Sequence, residues 1–181
     1  MRGAMRVSAF VAVVVLGVLA GSREASANLS AGGLFRVVRC AKNCSGTLFT
    51  FGGEIGGGFT TFAFRYGYKS STHYFFPDFR FSYTFPLPLS LEVTPMLEFT
   101  PMITTAKVSG VSVKTLQLIL RPGVRVGWSP VDLVSIFVEP FLWDFGFYTK
   151  VWASGGGQTA SESSKTLVQR YNFGFGAVVR F

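Results

Sequence analysis

The sequence predicts an all-β chain folded as an eight-stranded antiparallel up-and-down transmembrane β-barrel. Three observations predict it. No amphipathic helix appears after residue 28, and eight segments there alternate apolar and polar residues with period two. The apolar set is also too bulky to be enclosed by a barrel of that size. Composition leans the same way, with 20 Phe and 21 Gly in 181 residues. Aromatic and β-branched side chains suit strands, and Gly punctuates them.

Residues 1–27 precede this pattern and read as an export signal. Arg2 and Arg6 form a positive start, Val7 to Ala20 is almost wholly apolar, and Ala25-Ser26-Ala27 supplies small residues for a signal peptidase. Cleavage is expected before Asn28. The apolar run is short for a helix that must cross a bilayer with about 20 residues. Leu19-Ala20-Gly21-Ser22 resembles a lipoprotein box but holds Ser where the lipidated Cys belongs, so no lipid anchor is expected. Two regions follow: signal peptide 1–27 and one barrel domain 28–181.

The segments can be taken in order, split by parity because successive strand side chains point to opposite faces. In 28–38, Phe35 opposes Gly32 and Arg36. In 47–56, Phe49 and Phe51 oppose Gly52 and Glu54, and in 59–69 Phe62, Phe64, Tyr66 and Tyr68 oppose Arg65 and Gly67. Segment 74–86 sets Phe75, Phe79, Phe81, Tyr83 and Phe85 against Asp78, Arg80, Ser82 and Thr84. Segment 88–104 sets Leu89, Leu91, Val93, Pro95, Leu97, Phe99 and Ile103 against Ser90, Glu92, Thr94, Glu98, Thr100 and Thr104. In 112–128, Leu116, Leu118, Leu120, Val124, Val126 and Trp128 oppose Gln117, Arg121, Gly123, Arg125 and Gly127.

The segment 132–152 changes parity midway. Val134, Ile136 and Val138 keep one phase; Phe141, Trp143, Phe145 and Phe147 keep the other, opposite Asp144 and Gly146. Glu139-Pro140 stands at the switch. A β-bulge is expected there, since Pro cannot donate to the ladder and one extra residue resets the phase, leaving Glu139 inward. Segment 166–181 closes the series, with Tyr171, Phe173, Phe175, Val179 and Phe181 opposite Arg170, Gly174, Gly176 and Arg180.

Short turns are expected at Gly56-Gly57-Gly58, Pro86-Leu87-Pro88 and Ser129-Pro130-Val131. Longer polar links are expected around 39–46, 70–73, 105–111 and 153–165, the last being rich in Ser and Gly. Short turns at one end and longer loops at the other suit a membrane barrel.

Volume decides which face is inside. An eight-stranded barrel has room for side chains or one small ligand, not for this many rings plus the aliphatics. The rings therefore point outward, which only lipid tolerates. The opposite face carries small glycines and charges of both signs: Arg36, Glu54, Arg65, Asp78, Arg80, Glu92, Glu98, Arg121, Arg125, Asp144, Arg170 and Arg180. Inside, these can pair, and pairing offsets their desolvation. On the lipid face each Arg near the midplane would cost about 2–4 kcal/mol.

The last strand ends in a terminal Phe with apolar residues at every second position, Tyr171, Phe173, Phe175, Val179 and Phe181 among them. This resembles the C-terminal signature of bacterial outer-membrane barrels. With the signal peptide and the eight segments, the mature chain resembles the small-barrel superfamily of the OmpA and OmpX types. The resemblance implies residence in the Gram-negative outer membrane, contact with its lipids, and recognition of the last strand by the barrel-assembly machinery.

Little chemistry is legible. Cys40 and Cys44 are the only cysteines, and in an oxidising compartment a local disulfide pinning a loop is expected rather than a metal or redox site. One His cannot build a zinc site with them. His73 lies beside Ser70, Ser71 and Thr72, but it is expected as a solvated loop residue, not as the base of a lipid-modifying hydrolase. Gly155-Gly156-Gly157 lacks the strand-to-helix context of a phosphate cradle. The net charge of +8 is scattered singly along the chain, which gives no nucleic-acid patch. No cofactor is expected. The chain is expected to be a non-enzymatic barrel with a structural or surface-loop role, with a narrow solute channel as the alternative and a lipid-modifying enzyme as the third reading. Partners of its loops are not legible.

Overall fold

The computed structural model describes residues 29–155 and 158–181. The expected signal peptide and its cleavage point lie outside the described residues, as do Gly156 and Gly157. Ten strands follow in chain order: β1 (Ser30–Lys42), β2 (Thr47–Gly57), β3 (Thr60–Lys69), β4 (Thr72–Ser82), β5 (Phe85–Leu87), β6 (Leu91–Val108), β7 (Val111–Val131), β8 (Val134–Gly155), β9 (Gln158–Ser164) and β10 (Val168–Arg180). Eight of them form the wall in the order β1-β2-β3-β4-β6-β7-β8-β10, each antiparallel to its neighbours. β10 pairs with both β8 and β1, which closes the barrel.

The wall is inside-out. Phe49, Phe51, Phe64, Phe141 and Phe181 are among its most exposed residues, whereas Arg36, Arg65, Arg121, Glu98 and Asp144 have no exposed surface. Aromatic rings meet across strand pairs on the outside. Phe35 lies 5.1 Å from Phe175, and Phe62 5.3 Å from Phe79. Such pairs reinforce the ladder. Phe76 and Phe137 point inward instead and are buried, and Tyr74 packs against Phe76 from the same phase of β4.

The β8 bulge forms where the parity switch predicts it. Asn172 pairs with Leu142 and Gly174 with Glu139, so β8 carries one residue more than β10 between these points. The same surplus appears against β7, where Val124 pairs with Phe141 and Val126 with Val138. The carbonyl of Pro140, released from the ladder, accepts a hydrogen bond from the Tyr171 hydroxyl. Glu139 is fully buried.

The connections differ from expectation at five places. Links 70–73 and 105–111 are tight turns, with Ser70 and Ser71 at φ 48° and 62° and Ser109 and Gly110 at 49° and 82°. Positive φ at two successive residues is the geometry that matches strand twist in a hairpin. Pro86 and Leu87 belong to β5, which folds back on β6, and the turn lies at Leu89-Ser90. Ser129 to Val131 continues β7, so that turn begins three residues later than expected, at Asp132. Ala153 to Lys165 is not a loop throughout: β8 runs to Gly155 and pairs there with β9. These strand ends overhang the barrel, and every residue of β9 is exposed. Polar residues on both faces erase the alternation that marks a strand. The long-loop end therefore owes its bulk to the β8–β9 hairpin.

Candidate functional site

Among the described residues, the interior is where charged side chains converge. Inward positions on seven strands deliver five arginines and five carboxylates to one layer. Glu98 on β6 accepts from Arg36 on β1 at 2.6 and 2.7 Å, from Arg80 on β4 at 2.8 Å and from Arg121 on β7 at 2.5 Å. Glu139 on β8 bonds Arg36 at 2.5 Å and Arg125 at 2.7 Å. Glu54 on β2 accepts from Arg125 at 2.7 and 2.8 Å and from Arg80 at 2.9 Å. Asp78 holds Arg65 at 2.6 and 3.0 Å, and Asp144 pairs with Arg121. Every charge in the layer faces an opposite one, often through paired N–H···O bonds, the arrangement that best repays desolvation.

Gly174 makes room for this layer. A Cβ at that position would lie 2.6 Å from a Glu139 oxygen and 2.9 Å from the Arg36 side chain. A residue larger than Gly there would push apart the Arg36–Glu139 pair.

Apolar groups flank the ionic layer. On the side of the 70–71 and 109–110 turns lie Phe76, Met102 and Ile119, with Leu48 and Tyr74 packed against them. On the side of the chain termini lie Leu34, Ala63, Phe137 and Val178. Phe76 and Phe137 also cover guanidinium groups. Arg65 lies 4.6 Å from the Phe76 centroid and Arg125 3.5 Å from that of Phe137. A polar cavity of about 270 Å³ opens towards the termini, lined by Glu54, Arg80, Glu92, Arg125, Ser135 and Arg180 among others. It stops at the ionic layer.

The sequence-predicted charges do not all join one network. Arg180 and Glu92 pair with each other at 2.5 Å at the half-open termini end. Arg170 stands directly across β8–β10 from Asp144 but forms no ion pair among the described residues, and its Nη1 is buried without a partner. Sequence reasoning left Glu139 out of the charge set, although its place at the bulge put it inside. It also gave no role to Asn172, whose amide donates to Asp144 at 2.7 Å, or to Thr100, which donates to Asp78 at 2.5 Å. Their inward parity was the available signal; their partners were not readable.

Cys40 and Cys44 form a disulfide with Cα atoms 5.5 Å apart. It staples the β1–β2 turn, where the Cys40 amide also donates to the Gly46 carbonyl. The closed loop is short, so the Cys40→Ser, Cys44→Ser double variant is expected to lose at most about 2 kcal/mol in urea unfolding. A larger loss would mean that the staple supports more than its own turn.

His73 sits on the outer face, paired with Tyr68 across β3–β4. Its Nδ1 shares a hydrogen bond of 2.7 Å with the Tyr66 hydroxyl rather than with Ser70 or Ser71. The five C-terminal residues Tyr171, Phe173, Phe175, Val179 and Phe181 all lie on the outward phase of β10. Phe181 is 72% exposed.

No family model matches the chain, and no curated protein matches it. Solved structures do. Neisserial surface protein A, from Neisseria, superimposes with a TM-score of 0.52 at 13% identity, covering 86% of this chain and 97% of that one. The N-terminal β-barrel domain of Pseudomonas aeruginosa OprF gives 0.48 at 12% identity, covering 86% and 100%. A major outer membrane protein of Thermus thermophilus gives 0.47 at 14%, covering 86% and 100%. At such identities the likeness speaks for fold alone, and the first of the three carries it. With its closed eight-stranded wall, aromatic exterior and charged interior, the chain has the fold of the small outer-membrane β-barrels, the OmpA and OmpX type that its sequence resembles.

Proposed function

We propose that this chain is an exported, integral outer-membrane barrel without enzymatic activity, which supports the envelope or acts through the end that bears the β8–β9 hairpin. On this reading residues 1–27 are removed on export, residues 28–181 form the mature barrel, and Tyr171, Phe173, Phe175, Val179 and Phe181 present the last strand to the barrel-assembly machinery. The observation that carries the reading is the pairing of a ring-covered exterior with a filled, ionic interior. Exposed Phe at this density is stable only against hydrocarbon.

A solute channel is the second reading, and the cavity at the termini end is what favours it. Against it stand the five-by-five ionic layer and the Phe76, Met102, Ile119 plug, which leave the cavity a dead end. Membrane fractionation with a heat-modifiability gel tests the membrane reading. The folded barrel is expected in the outer-membrane fraction and to shift in mobility on boiling; an unshifted band in the soluble periplasmic fraction would sink it. In planar bilayers the protein is expected to give no steady single-channel steps. Steps that respond to Arg121 or Arg125 substitution would establish the channel instead.

A further inference from the structure

Fully charged side chains on the outward face of the wall strands are few, and all have one sign. Among the described strand residues they are Arg39 and Lys42 on β1, Lys107 on β6, Lys114 on β7 and Lys150 on β8, as their register with Tyr171, Gln169, Ser112, Trp152 and Leu116 places them. All five lie at the end away from the chain termini. The carboxylates are elsewhere: Glu54, Asp78, Glu92, Glu98, Glu139 and Asp144 point inward. Asp132 stands in the β7–β8 turn at the opposite end, and Glu162 pairs with Val151 on the other face of the hairpin.

Three of these cations form a row. Lys107 pairs with Ser112, two residues before Lys114. Lys114 pairs with Trp152, two residues after Lys150. Each neighbouring pair of lysines is thus diagonal across a strand pair, about 7–8 Å apart at the backbone, where like charges repel. Among the described residues, no carboxylate on that face relieves them.

Trp152 stands in the middle of the row, with the Lys150 ammonium 5.1 Å from its ring centroid. Trp152 lines a depression of about 490 Å³ together with Ile103, Lys114, Leu116 and the hydroxyl residues Ser112, Ser154 and Thr159. Ile103 and Leu116 continue into the apolar exterior, Lys114 is the cation in the lining, and Lys150 stands beside Leu116 across β7–β8. A Trp at that boundary is the usual anchor between hydrocarbon and headgroup.

We propose that this face of β6, β7 and β8 binds a phosphorylated lipid of the leaflet that surrounds it, with headgroup phosphate on Lys107, Lys114 and Lys150 and an acyl chain along Ile103 and Leu116. The proposal rests on the membrane reading above and adds a lipid class and a site to it. Charge complementarity selects the occupant. A phosphate at headgroup level is the counter-anion that the row lacks, and basic residues at a membrane surface draw anionic lipids. A bis-phosphorylated glycolipid of the lipid A class offers two phosphates on a rigid headgroup, which suits a row of cations spaced across three strands.

The test uses the barrel expressed from the full chain and refolded in a maltoside detergent, with bound lipid counted by native mass spectrometry. The probes are bis-phosphorylated lipid A and the same lipid stripped of both phosphates. The phosphorylated form is expected to bind about 10- to 100-fold more tightly. Substituting Lys107→Gln, Lys114→Gln and Lys150→Gln together is expected to erase that preference, whereas the three Lys→Arg changes keep it. Trp152→Ala should weaken both lipids by a similar factor. Equal binding of the two lipids, or a preference that survives the triple Gln variant, overturns the proposal. So does displacement of the lipid by inorganic phosphate at equal concentration, which would make the row a site for free anions. A band that still shifts on boiling alongside any of these outcomes leaves the membrane reading standing and removes only the lipid site.

Discussion

Glu98→Gln is expected to destabilise the folded barrel by about 3–5 kcal/mol, although the new side chain has nearly the same shape. The reason lies in what remains. Glu98 is fully buried and is the common acceptor for Arg36, Arg80 and Arg121. Neutralising it leaves five arginines, four of them buried, against four carboxylates, in a layer flanked by apolar groups where little water can answer the surplus. A Gln amide can accept at one atom only and must present N–H groups to a guanidinium at the other. Urea unfolding of the barrel in bilayers, followed by the boiling-sensitive gel shift, reads the effect. Glu92→Gln serves as the control, because the Glu92–Arg180 pair is partly exposed, at 18% and 31% of side-chain surface, and should cost less than about 1 kcal/mol. Equal effects at the two sites would mean that the ionic layer is as wet as the mouth.

The second large effect is expected on the outside. Phe64→Arg should cost about 2–4 kcal/mol in a bilayer if the side chain meets hydrocarbon near the midplane. Phe64 is 46% exposed and sits between Gly53 and Pro77 on the outward phase of β3. On a water-soluble barrel the same change would replace an exposed ring by a solvated cation and cost little. The sign and size of this one substitution therefore separate the two ways of turning the wall. Phe64→Leu, which keeps the apolar character, is expected to stay within about 1 kcal/mol. An Arg variant as stable as the Leu variant would overturn the outward placement of the rings.

The interior also bears on how the protein works. Two apolar groups, one ionic layer and two rings stacked on guanidinium groups fill the lumen, so the wall has little freedom to breathe. The β8–β9 hairpin and the row Lys107, Lys114, Lys150 both stand at the end away from the termini.

Much of this was legible from the sequence for a physical reason. Side chains on a strand alternate strictly, so one parity assignment sorts a whole segment, and the volume of the rings then decides which set can be enclosed. Even the bulge at Glu139-Pro140 could be read, because an extra residue shifts the phase of every residue after it. The overhanging strands could not be read. β9 is exposed on both faces, and its existence depends on the free edge that β8 offers, not on any pattern within Gln158–Ser164.

The sequence by itself determined which residues face outward and which face the axis, since that follows from local period and total bulk. Only the tertiary structure decided who meets whom. Arg36 reaches Glu98 across 62 residues of chain and Glu139 across 103. Such partners are chosen by the closure of the wall and the stagger of its strands, which bring distant inward positions to the same height. No period within a single strand encodes that height.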